Sequence, residues 1–125
     1  MRFMMFMIPN IKEENWMPSA AAVAAMSKYN DSLKKAGVLL SLGGLQPPAK
    51  GARVSFAGGK PKIADGPFAG AKDVIGGYWM IQVKSKAEAV EWAARCPASD
   101  GNVIEVRQVA EMSDFPPEIQ KAAVR

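Results

Sequence analysis

The stretch Ile75–Glu88 reads IGGYWMIQVKSKAE, and it decides the fold class because a strand pattern runs directly into a helix signal. Residues 75–83 predict a long strand, with odd-numbered and even-numbered side chains on opposite faces. Ser85 and Glu88 then form a capping box, in which each side chain satisfies a free backbone amide at the start of a helix. We predict that this helix ends at about Arg95, because a proline two residues later prevents its continuation. Its predicted apolar stripe is Val90, Ala93 and Ala94.

The other regular elements follow from similar local signals. Arg2–Ile8 is apolar on both faces, which is typical of a strand in a sheet that is covered on both sides. Ser19 is a suitable N-cap and Gly37 can adopt the left-handed conformation that closes a helix, so a long helix is predicted from Ser19 to Ala36. Its apolar stripe is predicted to be Ala22, Met26, Tyr29, Leu33 and Ala36. Further strands are predicted at Val38–Leu42 and Asn102–Val109, and a short terminal helix near Pro116.

Gly58-Gly59 marks a two-residue hairpin, because both positions can adopt a positive φ. Placing Ala57 opposite Lys60 sets Phe56 against Pro61 and Val54 against Ile63. One face of this hairpin is then apolar, and the other is polar and basic. The basic residues around it would either meet an anionic partner or guard an exposed strand edge; they are Lys50, Arg53, Lys60 and Lys62.

Without the hairpin the element order is βαββαβ, so we predict an α+β, ferredoxin-like fold with an antiparallel sheet and an inserted β-hairpin. The two helices of such a fold cover only one face of the sheet. The opposite face carries residues as apolar as those of the first strand, and we expect a second copy of the chain to cover it. Residues 1–115 are predicted to form a single domain, with 116–125 as a C-terminal tail or short helix.

The composition is that of an ordinary globular domain. The 125 residues are 49% hydrophobic and 22% charged, and the formal net charge of +4 does not demand nucleic acid as a partner. Cys96 is the only cysteine, so no internal disulfide forms and a reducing, cytoplasmic location is expected. No apolar run approaches the length of a membrane helix. Direct nucleic-acid binding is not expected, because aromatic residues do not alternate with the basic ones.

Four motifs carry a resemblance to a known family. Asp65-Gly66-Pro67-Phe68 places an acid on a rigid bend, KGARV precedes it at 50–54, GYW follows at 77–79, and EWAARCP follows at 91–97. Over residues 1–115 the chain resembles the DGPF branch of the YCII-like proteins. These belong with the dimeric α/β barrels, in which two ferredoxin-like sheets pack face to face around a cleft. The resemblance therefore implies a homodimer, and it links the domain to extracytoplasmic-function sigma factors, with which DGPF domains are often associated.

The chain departs from the family's pattern at several positions. Some relatives carry a His-Asp pair that suggests catalysis, whereas this chain has no histidine, which also excludes Ser-His-Asp and Cys-His catalysis. Gly70 and Gly43 stand where relatives often have acids, Ala71 replaces a hydroxyl, and Asp73 shortens a second acid. The loss of carboxylates argues against metal binding, so neither a metal nor another cofactor is predicted.

Asp65 is the first candidate for chemistry, because its carboxylate lies at a turn where it could accept a substrate hydrogen bond or act as a general base. The alternative is that Asp65 only caps the Gly66-Pro67 turn through nearby backbone amides. Lys72 could neutralise a bound anion that Asp73 positions, or the two could form an exposed surface pair.

Four further residues are candidates for lining a ligand cleft: Gln46, Tyr29, Tyr78 and Arg107. Gln46 could supply an amide at the pocket mouth or cap its own loop. Glu105 and Arg107 share one face of the last strand, where they could bind an anion or pair with each other. The resulting hypothesis is a homodimer that binds a small polar molecule in a cleft between the sheet and the DGPF loop. The alternative is a non-catalytic accessory or regulatory protein that acts through protein contacts.

Overall fold

The computed structural model describes residues 1–67 and 74–123, and its main body is a four-stranded antiparallel sheet in the order β2-β5-β1-β6. The six strands are β1 (Arg2–Ile8), β2 (Leu39–Gly44), β3 (Ala52–Ala57), β4 (Lys60–Asp65), β5 (Gly77–Gln82) and β6 (Val103–Gln108). The three α-helices are α1 (Ala20–Lys35), α2 (Lys86–Ala94) and α3 (Pro117–Ala122). This order and topology confirm the predicted α+β, ferredoxin-like fold.

The helix ends lie where the sequence predicted them, because their capping interactions form. The Ser19 hydroxyl accepts a hydrogen bond from the Ala22 amide at 3.1 Å, and Gly37 closes α1 with a φ of 73°. The Ser85 hydroxyl likewise accepts from the Glu88 amide at 3.2 Å. The other half of this cap is shifted by one residue, since the Glu88 carboxylate accepts from the Lys84 amide at 3.0 Å.

The core lies between the helices and one face of the sheet. Phe3 and Met5 of β1, together with Trp79 and Ile81 of β5, are buried on this face, and Leu33 of α1 packs against them. The paired strands set Phe3 beside Ile81 and Met5 beside Trp79, so alternate residues of two neighbouring strands reach the same layer. Since α2 also contributes a buried residue to this layer, both long helices cover the same side of the sheet.

The buried stripe of α2 differs from the prediction at two of three positions, because Ala93 packs against the core but Val90 and Ala94 are exposed. Ala89 is fully buried and Trp92 packs against the core beside it, whereas Val90 is 47% exposed. Alanines at several neighbouring positions of this short helix make two adjacent stripes equally apolar, so the sequence did not distinguish them. The bulk of Trp92 decides the rotation, because its burial removes far more apolar surface from water than the burial of a valine does.

The two adjacent residues Ala89 and Val90 provide a direct test of this rotation. We expect Ala89→Leu to destabilise the fold by about 1–3 kcal/mol, because three extra carbons enter a filled core. Val90→Leu should change the free energy of unfolding by less than about 0.5 kcal/mol, because that side chain faces water. Urea denaturation of both variants measures the difference. Equal destabilisation of the two variants would contradict the observed rotation of α2.

The second face of the sheet also carries apolar side chains. The strand register places Met4 of β1 beside Met80 of β5, and Phe6 beside Tyr78. All four side chains are partly exposed, and Val103 at the β6 edge is 53% exposed. We call this surface the open face. Within the described ranges, α1 and α2 both pack against the core side of the sheet, as predicted.

The inserted hairpin, formed by β3 and β4, pairs in the predicted register, with Ala57 opposite Lys60 and Phe56 opposite Pro61. Gly58 and Gly59 form its turn with φ values of 58° and 77°. Every residue of the two strands is exposed. We refer to residues 52–65 as the arm, because among the described residues these strands form a separate two-stranded sheet.

Candidate functional site

A cleft of about 600 Å³ opens at one end of the four-stranded sheet, within the size range of small-molecule sites. One wall comes from the loop between β1 and α1, which contributes Ile11 and Trp16. The opposite wall is the loop after β2, which contributes Leu45, Gln46 and Lys50. The cleft therefore lies where two loops meet above the ends of strands β1 and β2.

Two hydrogen bonds hold these loops together. The Trp16 indole N–H donates to the Leu45 carbonyl at 3.0 Å, and the Glu13 carboxylate accepts from the Ala49 amide at 2.8 Å. Both bonds cross from one wall to the other, so the two loops form one pre-organised structure. Tryptophan suits this position because its ring supplies apolar lining while its N–H keeps a partner.

The lining is mostly apolar, with two polar side chains at the mouth. Gln46 offers an amide, and Lys50 offers an ammonium at the end of the short 3-10 turn Pro48–Lys50. No acidic side chain of the described residues lines the cleft. An apolar surface with a cation and an amide at its edge favours a molecule with an apolar body and an anionic head group.

The Asp-Gly-Pro bend supports the outer side of this wall. Asp65 ends β4 opposite Ala52, and the Gly66 amide donates to the Gly51 carbonyl at 2.9 Å. A Cβ atom built on Gly66 would lie only 1.8 Å from the Pro48 carbonyl oxygen, so only glycine fits this close approach of two backbones. The bend thus braces the turn that carries Lys50.

The Asp65 carboxylate is exposed and makes no hydrogen bond within the described part of the chain. It does not line the cleft, although its neighbour Gly66 contacts the cleft wall. The remaining candidates of this loop, Lys72 and Asp73, lie outside the described residues, as does Phe68.

The other predicted ligand-binding residues lie in three different places. Gln46 lines the cleft. Tyr29 is a core residue, whose hydroxyl donates to the Trp92 carbonyl at 2.7 Å and whose ring meets Trp79 edge-on at 5.7 Å. Burial raises the pKa of Tyr29, so its hydroxyl remains a donor at physiological pH.

Tyr78 and Arg107 belong to the open face rather than to the cleft mouth. The Tyr78 ring lies over Gly43, where an added Cβ would be 3.0 Å from the ring. Arg107 pairs with Glu105 at 3.4 Å, and both side chains are well exposed. Glu105 and Arg107 therefore form an ion pair on the open face.

Trp16 is one of the cleft residues that sequence reasoning missed. It lies in a loop without helical or strand periodicity, between Asn15 and the Met17-Pro18 pair. A tryptophan in such a loop indicates a nearby packing or hydrogen-bonding partner, because its large ring and its N–H both need one.

Cys96 packs against the core and is unsuited to nucleophilic chemistry. Burial raises the pKa of its thiol from 9.0 to about 11, so at pH 8 only about one thiol in a thousand is ionised. We expect alkylation of Cys96 by iodoacetamide at pH 8 to be about a hundredfold slower in the folded protein than in urea. The folded-state rate should continue to rise up to about pH 11. Equal rates in the folded and unfolded protein would contradict the shift.

Two kinds of feature are absent from the described residues. Residues 1–67 and 74–123 contain no group of three or more His, Cys, Asp or Glu side chains placed to hold a metal ion. None of the helices in these ranges is long and apolar enough to cross a membrane.

Comparison with known proteins identifies the family. The YCII-related domain matches residues 1–113, which is nearly the whole chain. A search of curated proteins finds no match. The match spans the sheet, both long helices, the arm and both walls of the cleft. The chain therefore belongs to the YCII-related domain family.

Proposed function

We propose that this protein is a homodimer that binds a small molecule with an apolar body and an anionic or polar head group in the cleft beside the Asp-Gly-Pro bend. The observation that carries the proposal is the pre-organised, apolar cleft with Lys50 and Gln46 at its mouth. The head group pairs with the ammonium and the amide, and the body packs against Trp16.

The exposed surface of the chain supports the dimer. A compact monomer of 13.4 kDa exposes about 6,500 Å², whereas this chain exposes 9086 Å². The excess of about 2,600 Å² includes the partly exposed open face and the exposed arm. Burial of that area on each of two subunits gives a total of about 5,200 Å², at the upper end of the range for obligate dimers. Packing two open faces together would remove their apolar side chains from water.

The alternative is an accessory protein that acts only through contacts with other proteins, such as sigma factors. An open cleft favours ligand binding over this alternative. A protein of the second kind has no need for an apolar cavity whose two walls are held together by hydrogen bonds. Asp65 contributes to the proposed function from the adjacent bend, as a hydrogen-bond acceptor for a bound molecule or for the second subunit.

Phenylacetate, with phenylacetamide as its neutral counterpart, tests the ligand class. We expect phenylacetate at millimolar concentration to raise the thermal midpoint of the wild-type protein more than phenylacetamide does, because ligand binding stabilises the folded state. Lys50→Gln should abolish the preference for the anion. Lys60→Gln at the tip of the arm is the matched control and should retain it. An absence of any stabilisation by a panel of such carboxylates would contradict the proposal.

Asp65→Asn tests whether the bend takes part in binding. If Asp65 contacts a ligand, the variant loses the ligand-induced shift while its own melting temperature stays within about 1 °C of wild type. Asp100→Asn, in the turn before β6, is the control, because it removes the same single negative charge. A lowered melting temperature of Asp65→Asn with ligand binding retained would instead assign Asp65 to the turn cap.

A further inference from the structure

The arm presents an apolar face to water. Val54, Phe56 and Ile63 lie on one side of the hairpin, and their exposed fractions are 52%, 74% and 70%. Pro61 extends this side opposite Phe56. The other side carries Ser55 and Lys62 opposite each other, so the hairpin has one apolar and one polar side.

An isolated two-stranded hairpin is only marginally stable in water. Among the described residues, the β3–β4 pair shares no ladder with the four-stranded sheet and buries none of its side chains. Its well-formed register therefore needs a further surface to become a persistent element. The three large apolar side chains on one side indicate where that surface lies.

We infer that the apolar side of each arm docks on a second copy of this chain. This inference rests on the proposed dimer, which brings a second copy next to the arm. The chain exposes about 2,600 Å² more than a compact monomer of its 13.4 kDa mass. The arm contributes to this excess, because every residue of its two strands is exposed, and docking on the second copy would remove its apolar side from water.

The position of Asp65 gives the docked arm a functional consequence. The register pairs Ala52 with Asp65, Val54 with Ile63 and Phe56 with Pro61, so Asp65 lies on the same side of the arm as the apolar residues. A docked arm therefore places the Asp65 carboxylate at the boundary between subunits. The second copy then lies next to the Asp-Gly-Pro bend, so the site around this bend is complete only in the dimer.

Phe56→Asp tests the docking. Phe56 contacts no core residue and is 74% exposed, so the variant should fold normally, which the near-ultraviolet circular dichroism spectrum checks. We expect the dimer dissociation constant to rise at least about thirty-fold, because a charge replaces an aromatic anchor at an interface. Ser55→Asp places the same charge next to Phe56 on the opposite side of the arm, and it should leave the dissociation constant within about threefold of wild type. Sedimentation equilibrium measures all three proteins.

The outcomes separate this inference from the proposed dimer. A dimeric wild type with an unchanged dissociation constant for Phe56→Asp would overturn the docked arm and leave the dimer intact. Equal weakening of the dimer by both substitutions would also overturn the docked arm, because docking through the apolar side does not involve Ser55. A monomeric wild type would overturn both proposals. Hydrogen exchange of the arm amides provides a second readout, with protection expected at concentrations above the dissociation constant and its loss expected on dilution.

Discussion

Gly66→Ala is expected to break the cleft wall and to destabilise the fold by about 1–3 kcal/mol. The added methyl would lie 1.8 Å from the Pro48 carbonyl oxygen and 2.6 Å from its carbonyl carbon. Both neighbours are backbone atoms, so relief requires the bend to separate from the turn Pro48–Lys50. The hydrogen bond from the Gly66 amide to the Gly51 carbonyl is then lost as well. Urea denaturation measures the loss of stability.

The same variant should lose the stabilisation by phenylacetate, because displacement of the turn moves Lys50 away from the cleft mouth. Gly51→Ala is the matched control, because Gly51 directly precedes β3 and its carbonyl accepts the hydrogen bond from Gly66, which directly follows β4. Its Cβ would lie 3.5 Å from the Pro48 carbonyl, an ordinary contact, and its φ of −108° suits any residue. A Gly66→Ala protein as stable as wild type, with ligand stabilisation retained, would show that the bend does not brace the wall.

Leu33→Ala is expected to have the largest effect on stability, about 2–5 kcal/mol. Leu33 is fully buried where α1 meets the sheet, in the same cluster as Phe3, Met5 and Ile81. The substitution removes apolar contacts and leaves a cavity that the surrounding strands cannot fill. A loss of this size is a large fraction of the total stability of a single domain, so part of the protein should be unfolded at 37 °C.

Val23→Ala on the same helix is the control for Leu33→Ala. Val23 is 50% exposed, and its truncation should cost less than about 0.5 kcal/mol. The comparison isolates burial from helix propensity, since both substitutions introduce alanine into α1. Similar losses for the two variants, measured by urea denaturation, would place the core elsewhere.

Elements specified by local chemistry were predicted well from the sequence. The Gly58-Gly59 turn determined the register of the arm to the residue, and the caps at Ser19 and Ser85 located the starts of both long helices. Elements specified by tertiary contacts were predicted less well. The strand β5, for example, begins at Gly77 rather than Ile75.

The candidate site was harder to predict, because it is assembled from loops. Strand periodicity separated Tyr78 from Trp79 and placed Glu105 with Arg107, and the register of the sheet then sets Tyr78 and Arg107 on the open face. It gave no information on how far that face lies from the loop that carries Gln46. Trp16 and Lys50 join Gln46 only through loop contacts such as the bond from Trp16 to Leu45, which no periodic pattern encodes.

We propose that a second copy of the chain covers the open face, where Met4 and Met80 lie side by side. Sedimentation equilibrium of the wild-type protein over about 1–100 μM measures whether that copy is bound. We expect a mass of twice 13.4 kDa across most of this range. A single species of 13.4 kDa at the highest concentration would contradict it.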